Sequence, residues 1–156
     1  MPTGKKFPDN SSLPPPMSPK LSKRISWMLR IVAAVILGQT LFFKFTAAPE
    51  SVFIFSTLGA EPHGRLLVAA AEVEAVILLL APGTALLGGL AGLGIISGAL
   101  MAHLTTKLGI VVLDDGGTLF FLALAVWICC AGVVWLRRGE VMTWIQRIRG
   151  MAARPR

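Results

Sequence analysis

The chain has no tyrosine, only two cysteines and little charge. Asp, Glu, Lys and Arg make up 15% of its 156 residues, against about 25% in an average soluble domain. Two cysteines cannot support a disulfide scaffold. Scarce charge beside 54% apolar residues excludes a chain disordered through its middle. A soluble domain of this size could not hide that much apolar surface, and the length excludes a large multidomain enzyme. Also missing are a Gly-rich phosphate loop, a Cys-x-x-Cys pair, zinc-ligand spacing and a Ser/His/Asp set on polar loops. No self-contained active site of the soluble type is present. A small integral membrane protein is the class that remains.

Four stretches have the roughly 20 mostly apolar residues that a spanning helix needs. They cover about 27–45, 64–81, 84–105 and 118–136. Each must be helical, because lipid offers no partner for backbone N–H and C=O groups. The expected fold is therefore all-α, a four-helix transmembrane bundle. Lys5, Lys6, Lys20, Lys23 and Arg24 precede it, Arg30 lies in the first turn of its first span, and Arg137, Arg138, Arg147, Arg149, Arg154 and Arg156 follow it. Lys44, Arg65 and Lys107 lie on the opposite side. The positive-inside rule places both termini in the cytoplasm and predicts a multi-pass protein of the plasma (inner) membrane. The formal charge of +7 calls for no nucleic acid. Anionic lipid of the cytoplasmic leaflet accounts for it, at about 1 kcal/mol per basic residue near the surface.

Three regions follow. Residues 1–24 read as a disordered, basic, Pro-rich arm. Residues 25–138 form the membrane domain. Residues 139–156 read as a basic amphipathic helix lying in the interface, with Val141, Trp144, Ile145, Ile148 and Met151 on its apolar stripe. The first span reads as retained rather than cleaved, since Pro49 directly follows Thr46-Ala47-Ala48. Between spans one and two, Pro49 can start and Gly59 can stop a short outer helix, able to cap a cavity between the spans.

The second span carries Glu72 and Glu74. An ionised acid at mid-span costs about 2.5–3.5 kcal/mol, so two are nearly as costly as the span's aliphatics are favourable. Two residues apart on a helix is about 200°, so the two acids face opposite ways. An intramembrane acid is a functional candidate by default; the alternative is a structural hydrogen bond to a neighbouring helix, for which Gln39 lies at similar depth. Lys44, His63, Arg65 and His103 fall near the outer end of the spans, above Glu72. Such a cluster could hold a polar head group or relay a proton, or His103 could simply cap a helix end. In span three Gly88, Ala91, Gly92, Gly94, Gly98, Ala99 and Ala102 share one half of the circumference, a face for close packing within the chain or for a homodimer. Asp114-Asp115-Gly116-Gly117 reads as a turn capping span four; no spacing supports a metal site there. Cys129 and Cys130 are adjacent, point about 100° apart and cannot form a relaxed disulfide.

Several fragments, in this order and spacing, resemble the DoxX-like membrane proteins. They are Lys44-Phe45-Thr46, Phe55-x-x-Leu58-Gly59-x-x-Pro62-x-Gly64, Glu72, Leu78-Leu79-Leu80-x-Pro82, Gly98-Ala99, His103-Leu104, Asp115-Gly116-Gly117-x-Leu119-Phe120 and Arg137-Arg138. The resemblance spans about Gly38 to Arg138. It implies a four-helix membrane bundle and, by position, polar roles for Lys44, Glu72 and His103. Glu74 stands where the pattern is usually apolar. The resemblance further implies an accessory or quinone- or lipid-binding subunit of a membrane redox system, with a redox partner subunit and no independent catalysis. Two other readings stay open: a small proton-coupled transporter or lipid handler with Glu72 as coupling residue, and a structural assembly factor.

Overall fold

The computed structural model describes residues 18–152, with side chains through 139. It contains five α-helices: α1 (Pro19–Phe45), α2 (Pro49–Thr57), α3 (His63–Leu80), α4 (Ala85–Thr105) and α5 (Thr118–Ala152). No strand occurs among the described residues. Three helices are long and apolar enough to cross a membrane: α1, α4 and the part of α5 over Thr118–Gly139. The 18-residue α3 differs because it carries Arg65, Glu72 and Glu74. At about 1.5 Å per residue it is ~27 Å long.

The four longer helices pack as a ring in the order α1, α3, α4, α5, and each touches two neighbours. Every neighbouring pair is antiparallel. Arg30 near the start of α1 meets the end of α3, while Lys44 near its end meets Glu72. Ser97 and Trp127 join α4 to α5, and Ser26 and Arg137 join α1 to α5. The short α2 lies against α1 and α3. Ala33, Leu37, Leu79, Ala85, Ile96, Val126, Cys130 and Val133 form the shared core. The outward faces are apolar too: Val35, Phe42, Leu67, Phe121 and Trp135 are all exposed. A coat of large apolar side chains around a small-residue core suits a lipid surrounding.

The glycines of α4 set how closely its neighbours approach. A Cβ on Gly88 would stand 2.4 Å from the backbone nitrogen of Leu79, and one on Gly92 would stand 2.7 Å from the sulfur of Cys130. The α3–α4 hairpin is thus sealed at its Pro82 end, where Thr84 Oγ1 donates to the carbonyl of Leu78 at 2.8 Å. Part of the small-residue face of α4 is therefore consumed inside the chain. Cys129 and Cys130 are buried as free thiols.

Two boundaries differ from expectation. α1 begins at Pro19 rather than near Trp27, so residues 19–24 are helical and not an unstructured arm. Ser18 caps this helix through Leu21 N–H, and Pro19 at the first turn suits a helix start rather than breaking one. At the other end α5 continues without interruption to Ala152. The expected arm over 1–17 and the side chains of the expected tail stripe lie outside the described residues.

Candidate functional site

The ring of helices lines a partly open cavity of about 760 Å³. It lies in the half of the bundle away from the Pro82 turn, and α2 covers one side of it. Its wall is mostly apolar, from Leu37, Phe55, Val68, Ile95, Leu122 and others, with a few polar groups set among them. That composition is typical of sites for small organic ligands.

The central polar group is Glu72, buried in α3 at 3% exposure. The Lys44 ammonium reaches it from α1, 3.0 Å from Oε1 and 2.9 Å from Oε2. The Thr40 hydroxyl, one turn before Lys44, lies 3.3 Å from Glu72 Oε2 and 2.9 Å from the carbonyl of Leu37, and its single proton is shared between these two acceptors. The spacing of four places Thr40 and Lys44 on one face of α1. A buried carboxylate needs such partners, since an unpaired charge in a low dielectric is costly. All three residues line the cavity.

Arg65 belongs to a second network. Its guanidinium clasps Glu61 at 2.7–3.0 Å and also donates to the main-chain carbonyl of Lys44. It therefore fixes the end of α1 that presents Lys44, and does not touch Glu72. His103, buried in α4, donates from Nδ1 to the carbonyl of Gly109 at 2.6 Å and packs edge-on to Phe120. A carbonyl can only accept, so Nδ1 carries a proton. His103 lines the same cavity.

The remaining sequence candidates fall elsewhere. Gln39 is exposed on α1 at the cavity rim and makes no hydrogen bond to Glu72; Thr40 takes that place. His63 is exposed at the start of α3 and does not line the cavity. Glu74 is exposed on the far side of α3, with no ion pair or hydrogen bond among the described residues. No group of three or more His, Cys, Asp or Glu gathers into a metal-binding arrangement among the described residues.

Three residues escaped the sequence reading, and a fourth, Asp115, was read there only as part of the turn capping span four. Thr40 was detectable from its i, i+4 relation to Lys44. Asp115 both caps α5 and lines the cavity: its carboxylate accepts from the N–H groups of Val112, Gly117 and Leu119 at 2.8–2.9 Å. Partial desolvation pushes its carboxyl up, but those three donors and nearby His103 outweigh it and hold the carboxyl below the usual Asp value. Ser51 in α2 also lines the cavity, and its buried hydroxyl has no hydrogen-bond partner. Arg30 is buried at the opposite end of α1, donates to the carbonyls of Leu79 and Ala81, and lies 4.1 Å from the Trp27 ring. No family model, curated protein or solved structure matches the chain.

Proposed function

We propose that the chain is a four-span membrane protein of the DoxX-like kind, with both termini cytoplasmic in the plasma membrane. Its outer cavity holds the polar head of a membrane amphiphile, a quinone or a lipid, and it serves a membrane redox system as a ligand-binding accessory subunit. The observation that carries this reading is the 760 Å³ apolar cavity with the Lys44–Glu72–Thr40 cluster on its wall. Apolar walls with few polar groups suit a ligand that is mostly hydrocarbon. A quinone carbonyl or a lipid ester accepts hydrogen bonds, and Lys44, Thr40 and the unpartnered Ser51 hydroxyl are donors. The residues present therefore fit such a head group. A bound quinone would supply electron and proton exchange; the chain supplies the pocket and the donors around it.

The test is mass spectrometry of the mildly purified protein for co-purifying small molecules and subunits, with Glu72→Gln beside it. The expected result is a stoichiometric quinone or lipid in the native protein and its loss from the variant. Absence of any bound molecule from both samples, with the variant still folded, would remove this reading. Proton-coupled transport is the second reading, favoured by the burial of Glu72 against Lys44. It requires flux that Glu72→Gln abolishes.

A further inference from the structure

The openings of the cavity differ in chemistry. A residue that both lines the cavity and is exposed marks a gap in its wall. Five do so: Gln39, Leu67, Gly94, Gly98 and Thr118. Gln39 and Thr118 are polar. Leu67, Gly94 and Gly98 are wholly apolar and belong to one seam, between α3 and α4. Leu67 stands 15 residues before Pro82 and Gly98 stands 14 after Thr84, so at about 1.5 Å per residue both are some 21–23 Å above the turn. They stand at the same height on neighbouring helices.

Glycine makes this seam open. At Gly88 and Gly92, nearer the turn, a Cβ would collide with α3 or α5; at Gly94 and Gly98 it would meet nothing within 4 Å. Gly94 and Gly98 lie about 80–120° round α4 from Gly88 and are both exposed, so their missing side chains leave the cavity wall open beside α3. Across the cavity, the Ser51 hydroxyl is buried, at 5% residue exposure, without a partner. A buried unpaired hydroxyl costs about 1–3 kcal/mol, which a ligand acceptor would remove.

We propose that the cavity takes a long-chain amphiphile sideways from the bilayer, through the α3–α4 seam. Its apolar chain lies over Gly94 and Gly98, and its head accepts a hydrogen bond from Ser51. The proposal rests on the cavity reading above and specifies the ligand class: an acceptor head, carbonyl or phosphate oxygen, on a chain that stays in the membrane. Head groups without a chain bind weakly. The seam is a passage and seat for the chain, and the polar mouths at Gln39 and Thr118 are not.

Paired probes test this on the full chain in detergent micelles. One pair is dimethoxy-methyl-benzoquinone with and without a decyl chain; the other is a phosphatidylethanolamine with oleoyl chains against glycerophosphoethanolamine. The pair that binds identifies the source of the head group. The native protein should prefer the chain-bearing member at least about tenfold, less than the full transfer free energy of ten methylenes. Gly94→Leu with Gly98→Leu puts side chains at two positions where a Cβ meets nothing within 4 Å, and should cut the affinity of the chain-bearing member about tenfold, leaving the chainless member within about twofold. Ser51→Ala should weaken both members by a similar factor. Gly94→Ala and Gly98→Ala, smaller changes, should give the same split in lesser degree. Equal affinity of the two members in the native protein overturns the proposal while the cavity reading stands. So does a leucine variant that loses both members alike, or neither. Failure of all four probes to bind the native protein overturns the cavity reading and this proposal together.

Discussion

Arg30, Glu72, Glu74 and Asp115 are four charged residues with four different energetic positions. Arg30 is 2% exposed and donates to two carbonyls where α3 ends. Helix C-termini leave carbonyls unpaired and carry partial negative charge, so a buried guanidinium there satisfies both needs. Arg30→Met should lower stability by about 3 kcal/mol, the scale of losing charged hydrogen bonds and orphaning acceptors. Arg30→Lys should not restore it, because a single ammonium cannot reproduce the planar fork. Thermal unfolding in detergent followed by circular dichroism reads both. The two acids of α3 should respond in opposite directions. Glu72 is held by Lys44 and Thr40, whereas Glu74 is exposed on the outward face with neither. In a spanning α3, Glu74→Leu removes about 2.5–3.5 kcal/mol of insertion cost and should raise insertion efficiency in a translocation assay, while Glu72→Leu should lower stability by stranding Lys44. A Glu74→Leu change without effect on insertion would show that α3 does not cross. Asp115 adds a pH dependence. Its folded carboxyl is depressed below the Asp value of about 3.9. Its contribution is therefore complete above about pH 4 and is lost as pH falls through the folded value. Asp115→Ala should cost about 1 kcal/mol at neutral pH, a cap's usual worth, and the gap between variant and native unfolding midpoints should close below about pH 4.

Glycine positions along α4 have unequal worth, and the inequality separates packing from access. Gly88→Ala drives a methyl into the backbone of α3, which cannot yield without parting the hairpin. Gly92→Ala meets a cysteine side chain, which can turn aside. Gly94→Ala meets nothing and gains helix propensity of up to about 1 kcal/mol. The expected order of melting temperature is Gly94→Ala at or above native, Gly92→Ala below it and Gly88→Ala lowest. A uniform response would mean that α4 does not sit as described. This distinction was beyond the sequence, in which Gly88, Gly92, Gly94 and Gly98 form one continuous small face. Periodicity gives the face of a helix but not which part of that face a neighbour covers. The helices themselves were legible because long apolar runs have one backbone solution in lipid. The start of α1 was not: a proline-rich arm hides a Ser-Pro helix start, and Pro19 serves either reading until Ser18 is seen capping. Glu72 and Lys44 were legible as costly residues that require partners. Their pairing with each other, and the diversion of Arg65 to Glu61, depend on how far α1 and α3 slide past one another, and no single helix encodes that offset.

At the scale of the molecule, the number of crossings decides where the cavity opens. Three helices meet a strict requirement for length and apolarity, and α3, with three charged residues in 18, falls short by composition. Two features argue that α3 crosses with them. It lies antiparallel between α1 and α4 as one member of the ring, so lifting it out would expose the core residues Leu79 and Ala75. Two of its charged side chains, Arg65 and Glu72, are turned inward and paired, which lowers their cost in lipid. An even number of crossings keeps Arg137 and Arg138 on the same side as Lys20, Lys23 and Arg24, as the positive-inside rule requires. With three crossings the two basic ends would part, and the loop at Lys107 would lie inside. Reporter fusions in a bacterial host separate the cases. A fluorescent protein joined to either terminus should fold and fluoresce, and alkaline phosphatase inserted after Lys107 should be active. Phosphatase activity at the C-terminus, with none after Lys107, would establish three crossings. The cavity mouth at Thr118 would then face the cytoplasm, and Glu72 would belong to a helix lying outside the hydrocarbon.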